Sequence, residues 1–158
     1  SGQSGTVFIS GGRGVDTLLG AAGTDYVDGG LDGDRIEGRG GNDFLWGGSG
    51  DDTLEGGSES DVIDGGSGFD TAVFDESLSA YALSRESGTG IYLVRHVATG
   101  DVDRLTSIEQ LQFGPASPAL IGSFNWSGST SPPPPPPPPP VPPMPPPPPP
   151  ASRRRTSI

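Results

Sequence analysis

Through the first half of the chain one apolar residue recurs every nine positions: Leu18, Val27, Ile36, Leu45, Leu54, Ile63 and Ala72. Each stands in the middle of a three-residue run, such as Thr53-Leu54-Glu55, and six small or polar residues lead into the next. A fixed period of this length marks internal repeats. Three residues make a short strand whose central side chain points inward, and the six between them make a tight turn. Two positions before each apolar residue lies an aspartate: Asp16, Asp25, Asp34, Asp43, Asp52, Asp61 and Asp70. Each unit opens with a glycine, at 11, 20, 29, 38, 47, 56 and 65. A degenerate first unit over residues 2–10 keeps Gly5 and Ile9 but carries Val7 where the aspartate belongs.

The turn has the form G-G-x-G-x-D, with glycine wherever positive φ or close backbone approach is needed. It exposes carbonyls and ends in a carboxylate, the mixture of oxygens that calcium takes in adaptable geometry. A merely solvated acidic surface would not keep a nine-residue register. An EF-hand is excluded because Ile36 occupies the next ligand position after Asp32 and Asp34. Some turns depart from the pattern: Asp32 and Glu59 replace the fourth-position glycine, and Ala21 and Arg39 the second. Asp tolerates left-handed backbone better than Glu, so the Asp43–Asp61 step, next to Glu59, is expected to be the weakest.

The units Gly47–Glu55 (GGSGDDTLE) and Gly65–Val73 (GGSGFDTAV) resemble the repeats-in-toxin (RTX) nonapeptide of secreted bacterial proteins. That resemblance implies an all-β fold, a right-handed parallel β-roll with two nonapeptides per coil and ions between turns stacked on one edge. Carried onto this sequence, one edge stacks Asp16, Asp34, Asp52 and Asp70, and the other Asp25, Asp43 and Asp61. Their gaps imply about five Ca²⁺ ions, with glycine carbonyls completing each shell. The resemblance also implies a secreted, extracellular or cell-surface location.

Composition agrees with a metal-held fold. There are 27 Gly and 19 Pro, 30% of residues are apolar, and cysteine is absent. Neither a large core nor disulfides can therefore hold the chain together, and bound metal is the usual alternative in small domains. Residues 11–76 carry 16 Asp and Glu against Arg13, Arg35 and Arg39, a net of −13. Without calcium the stacked carboxylates repel, so a disordered chain that folds on Ca²⁺ is expected. The overall charge of −11 disfavours nucleic acid and anionic membranes, and no apolar run is long enough to span a bilayer. Ser1 is neither a Met nor the start of an export segment, so a piece of a longer protein is expected.

Eighteen residues per coil sort the outward side chains into two faces. One shows Thr17, Arg35, Thr53 and Thr71 flanked by Glu37 and Glu55, a polar ladder. The other shows Phe8, Tyr26, Phe44 and Val62 with Trp46 beside them. Such an apolar stripe is either covered by a neighbouring segment or by a missing N-terminal partner, or is a docking face for a glycan or protein. Ice binding needs a regular Thr array, which Arg35 interrupts.

The expected division is a calcium-binding roll over 1–73, a β-rich capping segment over 74–122, a polar linker over 123–131, a polyproline II rod over 132–150 and a basic tail over 151–158. The cap ends in Leu105-Thr106-Ser107-Ile108-Glu109-Gln110-Leu111-Gln112-Phe113 and resembles the segment that follows RTX arrays; a solenoid end needs one because it exposes strand edges. The rod would extend roughly 60 Å at about 3.1 Å per residue. It reads as a stiff spacer, or as a ligand for aromatic grooves. His96, the only histidine, reads as a strand surface residue, and no nucleophile motif accompanies it. No enzyme is expected in this chain. The function expected is calcium binding in a structural or adhesive module, or in the accessory domain of an extracellular hydrolase or toxin whose catalytic part precedes residue 1.

Overall fold

The computed structural model describes residues 5–116, 118–124 and 127–128. The polyproline rod and the basic tail lie outside them. Each nine-residue repeat turns the chain through half a coil, so odd and even strands of the array fall on opposite sheets. β1 (Phe8–Arg13), β3 (Tyr26–Leu31), β5 (Phe44–Ser49) and β7 (Val62–Ser67) pair in parallel on one side. β2 (Thr17–Leu19), β4 (Arg35–Gly40), β6 (Thr53–Ser58) and β8 (Thr71–Phe74) do so on the other. The result is a parallel β-solenoid of about four turns. Its register is 18 residues throughout, as in Phe8↔Tyr26↔Phe44↔Val62 and Thr17↔Arg35↔Thr53↔Thr71.

Most strands run six residues rather than three. Identical turns stack, so the first turn residues also pair with the next coil, as Gly30 does with Gly48. The interior is a single file: Val27, Ile36, Leu45, Leu54, Ile63 and Ala72 are fully buried, and Ile9 and Leu18 of the first coil pack partly against it. Full burial of one such side chain is worth roughly 1.5–3 kcal/mol, so the file is thin and the turns must contribute much of what holds the coils.

The polar face carries Arg35 between Glu37 and Glu55, at 2.7 and 3.5 Å. On the other face the rings form a stack. Phe8 and Tyr26 lie 4.9 Å apart and Tyr26 and Phe44 5.0 Å apart, with planes within 10°, and Trp46 lies against both Tyr26 and Phe44. Tyr26 is only 6% exposed, whereas Phe8 is 53% exposed. The stripe therefore covers much of itself.

Beyond β8, β9 (Tyr81–Arg85) and β10 (Tyr92–His96) make an antiparallel hairpin. The following run is two strands on different sheets. β11 (Val102–Thr106) pairs antiparallel with β10 and parallel with β7, while β12 (Gln110–Phe113) pairs parallel with β8 and antiparallel with β13 (Ala119–Leu120). β14 (Ser127–Gly128) adds to the edge of β9. Leu105 stacks in register on Ile63, and Leu111 on Ala72, both fully or almost fully buried. The segment after the repeats thus contributes a last, interrupted coil, with the β9–β10 hairpin inserted in it. Phe74, Tyr81, Phe113 and Phe124 close the end of the core.

Candidate metal centre

The aspartates of the repeat do not point to solvent. Asp25, Asp34, Asp43, Asp52, Asp61 and Asp70 are all buried, and Asp16, in the first coil, is partly so. Their position at the end of a turn, immediately before a strand, makes each a rung of a ladder. The main-chain N–H of one aspartate donates to Oδ1 of the aspartate one coil on. The distances are 2.8 Å for Asp16 to Asp34, 2.6 Å for Asp34 to Asp52 and 2.9 Å for Asp52 to Asp70 on one edge. On the other edge they are 2.8 Å both for Asp25 to Asp43 and for Asp43 to Asp61. The seven predicted residues are therefore brought together as two files, four on one edge and three on the other.

The second oxygen behaves differently. Oδ2 of Asp16, Asp34, Asp43, Asp52, Asp61 and Asp70 is buried without a hydrogen-bond partner. Burying a carboxylate oxygen unpaired is expensive, and the same expense recurs at six equivalent places. A main-chain carbonyl accompanies it. A Cβ placed on Gly29 would lie 2.5 Å from both Asp34 Oδ2 and the Gly47 carbonyl; on Gly11 it would lie 2.7 Å from Asp16 Oδ2 and 2.6 Å from the Gly29 carbonyl. The leading glycine of each repeat except Gly56 thus leaves open a cradle between a carboxylate and a carbonyl of the next coil. No three His, Asp or Glu side chains converge on one point among the described residues. A cation here takes paired carboxylates plus main-chain carbonyls, a donor set that suits a hard ion accepting six to eight oxygens. The residues fit calcium.

Burial without a counter-charge leaves its electrostatic mark. Burial pushes the Asp61 carboxyl up to about 8, helped by the negative charges of Asp103, Asp43 and Glu59 and opposed by the hydrogen bond from Asp43. Asp43 and Asp70 rise to about 6, again chiefly through burial. The ladder favours either protons or a cation.

Residues 2–72 match the model of the RTX calcium-binding nonapeptide repeat, in two stretches, 2–36 and 37–72. These residues are RTX calcium-binding repeats. Their β-roll is a structural calcium-binding module, and the repeats themselves are not catalytic. No curated protein matches the chain. Among solved structures the chain is similar to an extracellular lipase from Serratia marcescens, with a TM-score of 0.51 and 25% identity. That match covers 57% of this chain and 14% of the lipase.

Within the RTX array the irregular turns resolve in two ways. Asp32, Arg39 and Glu59 adopt the left-handed backbone of the glycines they replace, at φ 73°, 82° and 79°. Each costs about 1–2 kcal/mol, but their turns keep the common shape, and Asp61 Oδ2 beyond Glu59 stays unpartnered. Ala21 does not adopt that backbone. Its N–H turns inward and donates to Asp25 Oδ2 at 2.6 Å, so Asp25 differs from the other six in having both oxygens engaged.

Two ladder residues escape a nine-residue scan. Asp61 N–H donates to Asp103 Oδ1, and Asp70 N–H to Glu109 Oε2, both at 2.9 Å. The sequence separations there are 42 and 39 instead of 18, so no period reveals them; the D-x-L and E-x-L spacing to Leu105 and Leu111 is the available signal. His96 bonds to Thr99 Oγ1 at 2.9 Å and to Glu76 Oε1 at 3.2 Å, and its ring packs on Tyr81. Among the described residues no helix is long and apolar enough to cross a membrane.

Proposed function

We propose that this chain is a non-catalytic module whose roll folds around about five Ca²⁺ ions, held between Asp16, Asp34, Asp52 and Asp70 on one edge and Asp25, Asp43 and Asp61 on the other. The observation that carries the reading is the recurrent buried Oδ2, unpartnered at six of these seven residues and, at all six except Asp61, facing a carbonyl of the next coil. Bound calcium supplies the positive charge that lets these oxygens remain ionised and buried. The chain supplies their spacing, through the 18-residue register, and excludes water from them by burial. Five ions would reduce the net charge of residues 11–76 from −13 to about −3. A calcium titration by circular dichroism and calorimetry tests this: strand signal should appear with calcium and vanish with chelator. A strand signal indifferent to chelator, or no bound calcium, would overturn it.

The module serves a secreted or surface protein, either as a structural and adhesive unit or as an accessory domain of an extracellular hydrolase. The second reading is supported by the similarity to part of an extracellular lipase. For the first, the ring stack offers Phe8 and the partly buried Phe44, Trp46 and Val62 as the accessible surface for a glycan or protein. Tyr26, enclosed in that stack, would act by holding its neighbours in place. Replacing Phe8 and Phe44 by Ser should abolish such binding and leave the calcium count unchanged; retained binding would exclude the face.

A further inference from the structure

The ladder of carboxylates does not stop where the repeats stop. At the step from Asp70 to Glu109 the last coil reproduces, with different residues, the hydrogen bonds and the carbonyl of the steps before it. Asp70 N–H donates to the Glu109 carboxylate at 2.9 Å, as Asp52 N–H donates to Asp70 at 2.9 Å. Gln110 N–H donates to the Asp70 carbonyl at 3.0 Å, as Thr71 N–H donates to that of Asp52 at 2.9 Å. Asp70 is fully buried, and its Oδ2 has no partner.

The carbonyl is reproduced too. Along this edge the carbonyls of Gly29, Gly47 and Gly65 stand opposite Asp16, Asp34 and Asp52 across the leading glycines 11, 29 and 47. Across Gly65, opposite Asp70, stands the carbonyl of Ser107. Ser107 reaches that place at φ 52°, left-handed backbone that a serine rarely adopts and that the glycines of the repeat adopt freely. Only six residues separate Asp103 from Glu109, where the repeat uses nine. A shorter turn has therefore been bent to present the same oxygen.

We propose that Asp70, the Ser107 carbonyl and Glu109 form a further calcium site, beyond those of the repeats, that ties the last coil to the array. The proposal rests on the calcium reading above. On the other edge Asp103 continues the ladder from Asp61, but the three atoms closest to the Gly56 position all belong to Asp61, so the accompanying carbonyl is not in evidence there. The Glu109 step alone has the full donor pattern. Its consequence is that the β9–β10 insertion and β12 are held by calcium as well as by packing, and that truncation at the end of the repeats removes a ligand set.

Anomalous diffraction from crystals of the full chain grown in calcium tests the site without a variant. A peak bounded by Asp70, Ser107 and Glu109 is expected. Peaks between Asp34 and Asp52 with none beside Glu109 would overturn the proposal, whereas no peaks anywhere would overturn the calcium reading itself. Native mass spectrometry of E109Q should show one ion fewer than the wild-type chain, and D34N serves as the control that disturbs only the repeats. An unchanged ion count in E109Q would also overturn the site.

Discussion

Gly29→Ala is the smallest change that tests the cradle directly. The backbone at Gly29 is of a kind that alanine accepts, so the substitution carries no conformational penalty and would by itself favour the folded chain by about 0.4–1 kcal/mol. The added methyl, however, would lie 2.5 Å from both Asp34 Oδ2 and the Gly47 carbonyl. That is roughly 1 Å inside van der Waals contact. Forcing the two oxygens apart costs about 1–3 kcal/mol as overpacking, and it moves them by much of the range that separates a calcium ligand from a bystander, since calcium–oxygen distances fall at about 2.3–2.6 Å. A net loss of about 2 kcal/mol is roughly 30-fold in the overall folding constant. Spread over about five ions taken up together, it moves the calcium midpoint by only about twofold. The sharper readout is the ion count, which should fall by one in native mass spectrometry. Gly12→Ala is the matched control: its φ is 94° but a Cβ there would meet nothing within 4 Å, so it should weaken folding and keep the count. A Gly29→Ala chain with the wild-type ion count would refute the placement of the cation beside Asp34 Oδ2.

Three further outcomes follow from the same geometry. In chelator, acid should substitute for calcium. Asp61 and Asp103 are raised by burial to about 8 and about 7 against roughly 3.9 in the unfolded chain, so their protonated forms stabilise the fold fully below about pH 4. That stability is lost as pH rises toward 8, by several kcal/mol for Asp61 at about 1.4 kcal/mol per pH unit. Strand signal in chelator should therefore grow from pH 8 to pH 5, and a flat profile would contradict the buried ladder. Ala21→Gly should release Asp25 Oδ2 from the Ala21 N–H that now occupies it at 2.6 Å; calorimetry should show calcium affinity on that edge rising roughly tenfold, the worth of a competing charge-assisted hydrogen bond. Tyr26→Ser removes the middle of a stack with 4.9 and 5.0 Å ring spacings and should lower thermal stability by about 3–5 kcal/mol at an unchanged ion count.

A chain with translational symmetry tells its reader which residues become neighbours. Once nine residues make half a coil, residue i must stack on residue i+18, and the core file, the two faces and both aspartate ladders follow from counting alone. Phe8, Tyr26 and Phe44 were legible in this way as one row, and Asp34 and Asp52 as one edge. The closing coil was not, because the β9–β10 insertion destroys the count and only strand pairing across a long loop brings Asp103 to Asp61 and Glu109 to Asp70. Nor does spacing say how an individual turn answers a misplaced side chain. Glu59 takes the left-handed backbone and leaves its neighbouring aspartate free, while Ala21 declines it and blocks one. The sequence alone thus determined the repeat, its register and its oxygen-rich edges, since these depend on local periodicity. The burial of each oxygen, the self-covering of the ring stack and the carboxylates that extend the array were decided by tertiary contacts, where distant segments compete for the same exposed edge and the same unpaired charge.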